Sequence, residues 1–224
     1  MTPYYADDGV TLYHARCEDV LPAIAPESVD LLLTDPPYGI GVTLGGHRGH
    51  KGAMQGETVT GDDVPFDPSR LLAYGDCVIF GGNYMTDILP PSGWIIWSKV
   101  QDNRWSHGKH STRSLAEMAW TNIHKYVAIY NCFWAGSPMH RMGSERGTQL
   151  HPTQKPVALM RWIVDRYTQP GDLVLDPYMG SGPIARACKD TGRRYIGIEI
   201  EERYCEIAVK RLAQDVLDFE GGAA

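Results

Sequence analysis

The sequence predicts an α/β fold with a mostly parallel sheet covered on both faces, and three observations predict it. Short apolar runs recur at 29–34, 77–80 and 173–175 with almost no polar alternation, the habit of strands buried on both faces of a parallel sheet. A breaker stops each run: Asp35-Pro36-Pro37, Gly81-Gly82 and Asp176-Pro177. The last third reads strand, glycine-rich turn, helix, strand, which is a βαβ unit.

The elements follow in order. Residues 10–14 alternate like a short strand. Residues 17–25 suit a short helix ending before Pro26, and 29–34 is the first buried strand. A helix is expected over 67–75 and strands over 77–80 and 94–97, the last set off by Pro90-Pro91-Ser92-Gly93. Residues 116–120 and 126–133, rich in aromatic and β-branched side chains, read as a strand pair, the antiparallel part of the sheet. Pro156 suits the first position of a helix over 157–167. Pro170-Gly171 then turns the chain into strand 173–175, helix 181–190, strand 195–198 and helix 201–217. Sheets of this kind bind ligands beyond the carboxyl ends of their strands, where the strand order reverses.

Bulk properties narrow the function classes. The 224 residues, 43% of them apolar, suit one globular domain over 1–224. No run of 18 apolar residues exists, so no membrane span is expected, and the first residues lack the pattern of a secretory signal. Cys17, Cys77, Cys132, Cys188 and Cys205 are odd in number and widely spaced, without a C-x-x-C pair, which suits a reducing, cytoplasmic setting. The net charge of -6 argues against nucleic acid, but the charge is uneven. Basic stretches at 41–55, 99–113 and 138–155, falling largely in the loops 41–64, 99–114 and 134–150, contrast with an acidic tail, and a phosphate backbone responds to local patches. His47-x-x-His50 and His107-x-x-His110 lack the remaining ligands of a zinc site, so no metal is expected.

Three strings carry chemistry. Asp35-Pro36-Pro37-Tyr38-Gly39 follows a buried strand. Such a string also serves as a plain strand-ending turn. Functionally, a carboxylate and a prolyl carbonyl accept the two N–H bonds of an aromatic amine and free its nitrogen lone pair. The paired prolines hold those acceptors rigidly, and Tyr38 offers a face for an extruded base. Asp176-Pro177-Tyr178-Met179-Gly180-Ser181-Gly182-Pro183 lies between a strand and a helix. Its glycines admit a ligand close to the helix N-terminus, and Glu199 closes the next strand where an acid can hold ribose hydroxyls. The string is neither G-x-G-x-x-G nor followed by G-K-[ST], which disfavours NAD and ATP. His151-Pro152-Thr153-Gln154-Lys155-Pro156 precedes a helix, where Lys155 and nearby amides suit a ligand carboxylate, while Thr153 alone would be a cap.

Together the strings resemble the DNA amino-methyltransferases of adenine N6 and cytosine N4, over nearly the whole chain. Phe80-Gly81-Gly82-Asn83-Tyr84, Ala116-Glu117-Met118-Ala119-Trp120-Thr121-Asn122 and Arg194-Tyr195-Ile196-Gly197-Ile198-Glu199-Ile200 add to the likeness. The catalytic string precedes the cofactor string, as in the β class. The resemblance implies a Rossmann-like methyltransferase fold in circularly permuted order and S-adenosylmethionine as cofactor. It implies Asp35, Pro36, Pro37 and Tyr38 as catalytic. Cys17, Asp35, Thr153, Gln154, Lys155, Asp176, Pro177, Tyr178, Gly180, Ser181, Gly182 and Glu199 are expected at the cofactor. The chain departs from the family at Ala15-Arg16-Cys17, where Gly-Asp-Cys is common, and at Trp97-Ser98-Lys99, where Trp-Asp-Lys is common. Tyr178 stands for a usual Phe and Pro183 for a usual Thr.

The expected activity is methylation of adenine N6 in double-stranded DNA, as in restriction-modification systems. Cytosine N4 is the alternative, and a non-catalytic DNA-binding protein a more distant one. The catalytic half falls at about 1–135 and the cofactor half at about 151–217. With no separate recognition domain, the basic loops are expected to read DNA through Arg48, Lys51, Arg104, Trp105, Lys109 and Arg113, in a homodimer.

Overall fold

The structure, a computed structural model, describes residues 1–7, 9–41, 59–99, 114–132 and 154–214. Its strands are β1 (Tyr5–Asp7), β2 (Val10–His14), β3 (Leu31–Thr34), β4 (Cys77–Phe80), β5 (Gly93–Ser98), β6 (Ala116–Thr121), β7 (Val127–Asn131), β8 (Leu173–Asp176) and β9 (Arg194–Glu199). Its α-helices are α1 (Cys17–Val20), α2 (Val157–Tyr167), α3 (Pro183–Asp190) and α4 (Glu202–Leu212). The strands form one sheet in the order β1-β2-β9-β8-β3-β4-β6-β5-β7. The stretch from β2 to β4 is parallel throughout. β6 runs antiparallel to both β4 and β5, and β7 runs parallel to β5.

The apolar runs form buried strands because both faces of the sheet are covered. Leu31, Leu33, Val78, Phe80 and Val174 pack with residues of α2, α3 and α4. Leu32, Ile79 and Leu175, on the opposite face, pack with Leu71, Tyr74 and Leu89. The α2 stripe Leu159, Met160, Ile163 and Val164 has the spacing of one helical face, and all four are buried.

Several boundaries differ from the sequence expectation. Residues 116–121 and 127–131 are both strands, but they do not pair with each other, because β5 lies between them. The connection between them passes over the start of β5, where a Cβ on Gly93 would sit 2.3 Å from the His124 carbonyl oxygen. In place of a helix over 67–75 there is a 3₁₀ turn, Leu71–Tyr74. The Asp67 carboxylate takes the Ser69 N–H in a local turn, which competes with a helical start. Pro22 sits in the 3₁₀ turn Leu21–Ala23 that follows α1, so the expected helix over 17–25 is cut short. Pro156 is the cap residue before α2 rather than its first helical residue. α3 starts at Pro183 because Gly182 is left-handed, with φ 72°. β1 is a further strand, too short and too exposed to show a sequence pattern.

The topology places a site. The chain passes from β8 through α3 to β9 on one side, and from β3 to β4 on the other. The carboxyl ends of β3 and β8 therefore flank a reversal of strand order, and Asp35 and Asp176 stand there.

Candidate active site

The segment Asp35–Gly39 leaves β3 and is anchored from outside. Asp62 Oδ1 accepts the backbone N–H groups of Tyr38 and Gly39, each at 2.8 Å, and of Ile40 at 3.4 Å. Three N–H groups converging on one carboxylate oxygen fix the turn after the prolines. Gly39 has φ 73°, and a Cβ there would meet the Val64 carbonyl oxygen at 2.4 Å, so no larger residue fits. The Tyr38 ring lies against Gly81, where a Cβ would come within 2.2 Å of it. It also stacks on Tyr84, with centroids 5.3 Å apart and planes 22° apart. Tyr84 is 52% exposed, so its ring continues an aromatic surface toward solvent.

A charged cluster surrounds Asp35. The Tyr38 hydroxyl donates to Asp35 Oδ1 at 2.5 Å, and Lys155 Nζ donates to Asp35 Oδ2 at 2.5 Å. Lys155 also donates to the Tyr38 hydroxyl at 3.3 Å and forms an ion pair with Glu117 Oε2 at 3.0 Å. Lys99 pairs with Glu117 Oε1 from the other side. Burial raises the pKa of Asp35, Lys155 opposes that rise and Glu117 adds to it. Burial would also raise Glu117, but Lys155 and Lys99 outweigh it and bring it down to about 2. Burial disfavours the Lys155 ammonium, yet Asp35 and Glu117 hold its pKa well above the usual lysine range. Lys155, expected to receive a ligand carboxylate, is bonded to the Asp35 carboxylate and paired with Glu117. Nothing local singles out Glu117 in its string, because its partners come from 38 residues down the chain and from across the sheet.

The glycine-rich segment after β8 is also anchored. Asp176 is fully buried and accepts Thr34 Oγ1 at 2.8 Å, the Tyr195 hydroxyl at 3.0 Å and the Tyr178 N–H at 3.2 Å. Its carboxylate, expected at the cofactor, lines the cavity and links the ends of β3 and β8 to Tyr195 of β9. Burial pushes its pKa up to about 7 against those three donors. Glu199 Oε2 accepts the Gly180 N–H and Oε1 the Glu201 N–H, each at 2.8 Å. Glu199 therefore fixes the Gly180 turn, and burial raises its pKa despite these donors. Cys17 Sγ donates to the Tyr178 hydroxyl at 3.2 Å, a contact that phenylalanine at 178 would not make. Thr60 Oγ1 donates to Glu201 Oε1 at 2.7 Å, so the segment that carries Asp62 also touches the segment between β9 and α4.

Both halves line one cavity of about 1210 Å³. Its wall includes Asp35, Pro36, Pro37, Tyr38, Tyr84, Glu117, Gln154 and Lys155 on one side. On the other side stand Cys17, Asp176, Pro177, Tyr178, Gly180, Ser181 and Glu199. The cavity is above the usual size of a ligand pocket, and Asp35 stands in its wall. Thr153, Arg48, Lys51, Arg104, Trp105, Lys109 and Arg113 lie outside the described residues, as do His47, His50, His107 and His110. No helix among the described residues is long and apolar enough to cross a membrane.

Asp176 makes a stability prediction. Its folded pKa lies above the unfolded value of 3.8, so its contribution to stability is full below that value and is lost as pH rises through about 7. Asp176→Asn does not titrate. Wild type is expected to lose on the order of 4 kcal/mol relative to this variant across that window. Thermal unfolding of both proteins along a pH series measures the difference, and parallel curves would contradict the assignment.

Comparison with known proteins gives a consistent result. A family model described as DNA methylase, of the N6/N4 methyltransferases, matches residues 96–210. The type II methyltransferase M2.DpnII of Streptococcus pneumoniae is 27% identical over 256 residues, spanning 94% of this chain and 92% of that protein. The crystal structure of the M1.HpyAVI-SAM complex is similar at a TM-score of 0.57 and 26% identity, over 91% of this chain and 100% of that one. The PvuII DNA methyltransferase (cytosine-N4-specific) has a TM-score of 0.65 at 15% identity, over 96% of this chain and 90% of that one, a likeness of fold.

Proposed function

The chain belongs to the DNA methylase family of N6-adenine and N4-cytosine enzymes, and from that premise we propose that it transfers a methyl group from S-adenosylmethionine to adenine N6 in double-stranded DNA. The observation that carries this reading is the Asp35 carboxylate. It is held beside the rigid Pro36-Pro37 pair and the Tyr38 ring, in the same cavity as the Gly180 turn and Glu199. A carboxylate is a stronger acceptor than a hydroxyl and suits polarising a conjugated amine. The residue reading leaves cytosine N4 open, and Asp at this position follows the pattern of the adenine enzymes.

The far lobe suits the cofactor. The glycine turn leaves the N-terminus of α3 open to close approach, and Glu199 and Glu201 present carboxylates where ribose hydroxyls need acceptors. Gln154, Cys17, Pro177, Tyr178, Ser181 and Thr153 complete the proposed cofactor site. When bound, S-adenosylmethionine supplies a methyl group activated on a sulfonium sulfur.

The chain's own residues do the rest. Tyr38 and Tyr84 stack the extruded base. Asp35 and the Pro36 carbonyl would accept hydrogen bonds from the two amine N–H groups and so free the nitrogen lone pair for methyl transfer. On accepting the methyl group the amine would shed one proton, and Asp35, its pKa raised by burial, would take it. Arg48, Lys51, Arg104, Trp105, Lys109 and Arg113 hold the DNA, and a second copy of the chain completes its enclosure. The five cysteines are all free and buried, which suits a reducing cytoplasm.

Incubation with DNA and cofactor, followed by digestion to nucleosides and mass spectrometry, tests the base. N6-methyladenine is expected. N4-methylcytosine without it would overturn the adenine assignment.

A further inference from the structure

Both oxygens of Asp35 already have donors. Tyr38 holds Oδ1, and the Lys155 ammonium holds Oδ2 at 2.5 Å. An incoming amine is a weak, neutral donor and competes poorly with an ammonium for a carboxylate. The exchange becomes feasible only if Lys155 has a second acceptor of equal charge within reach, because at 3% exposure it has little access to water.

Glu117 is that acceptor. Its Oε1 is taken by Lys99. Its Oε2 lies 3.0 Å from Lys155 Nζ, is buried, and accepts no properly directed hydrogen bond. A buried carboxylate oxygen left in that condition is costly and favours a donor that turns toward it. Asp35, Glu117, Lys99 and Lys155 carry two charges of each sign, and the balance is unchanged when Lys155 turns from one carboxylate to the other.

We propose that Glu117 is a positioning residue that draws Lys155 off Asp35 as the target amine arrives, so that Oδ2 becomes the amine's acceptor. The proposal rests on the methyl-transfer reading of this site. In the resting state Lys155 holds the Asp35 carboxyl in place, and in the substrate complex it pairs with Glu117.

Steady-state kinetics of Glu117→Gln and Glu117→Asp on DNA tests this. Glu117→Gln leaves Lys155 one carboxylate, so kcat is expected to fall about tenfold or more while the cofactor KM stays within about twofold. Glu117→Asp keeps the charge but retracts it by one methylene, and its kcat is expected between those of wild type and the Gln variant. A wild-type kcat in Glu117→Gln overturns the exchange, as does a parallel loss of cofactor affinity. Should the Gln variant not fold, Glu117→Asp carries the test, and an unchanged kcat in it overturns the proposal. If the wild-type protein methylates no DNA, the reading of the site fails first, before any variant is compared, and the exchange falls with it.

Discussion

Asp35→Ala is expected to lose methyl transfer by on the order of 10²–10³ while binding S-adenosylmethionine nearly as tightly as wild type. Asp35 Oδ1 and Oδ2 face Tyr38 and Lys155, whereas the Gly180 turn is fixed by Glu199. Removing the carboxylate deletes an acceptor that matters most as charge develops on the amine nitrogen, and leaves the anchors of the far lobe untouched. The fold should survive, since Lys155 retains Glu117 as counter-ion. Asp35→Asn keeps one oxygen acceptor without the charge and should fall between the two. Single-turnover rates and calorimetric cofactor binding on the same preparations measure both halves, and turnover near wild type in Asp35→Ala would remove Asp35 from the mechanism.

Gly182→Val should do the opposite, abolishing cofactor binding and with it all activity. Gly182 has φ 72°, a conformation that costs an L-residue about 1–2 kcal/mol and a β-branched one more. Its Cβ would stand 2.9 Å from Ala208 Cβ, so α3 must back away from α4. That displaces the start of α3 and the turn that Glu199 holds through Gly180. Cofactor affinity is expected to fall on the order of 10²-fold or beyond detection. Gly171→Ala is the control, because Gly171 shares a positive φ of 94° but has open space where a Cβ would go. It should lose stability and keep cofactor affinity. Normal binding by a folded Gly182→Val would place the cofactor elsewhere.

The contrast between these residues also marks what a single sequence reveals. Asp35–Tyr38 and Asp176–Gly182 are legible because each is a contiguous string after an apolar run, and buried parallel strands announce themselves by composition. Asp62 is not legible, because its value lies in backbone N–H groups 22 to 24 residues upstream that reach it only once the chain has folded back. Glu117 stands in a recognisable string, but its role depends on Lys99 and Lys155, which the sheet brings to it. Lys155 and Asp176 were legible as site residues but not in their contacts. Both suit a ligand on local grounds, and both are claimed by protein groups from other strands. The strand order around β5 was similarly hidden, since the crossing is permitted by the absence of a side chain at Gly93 rather than by any apolar pattern.

Transfer of labelled methyl from S-adenosylmethionine, with DNA, RNA and protein offered together, tests the central claim most directly. The account predicts label in DNA alone, on an exocyclic amine, at a rate that Asp35→Ala reduces by on the order of 10²-fold or more. Label in RNA or protein with the DNA left unmodified, or label in DNA that is indifferent to Asp35, would contradict it.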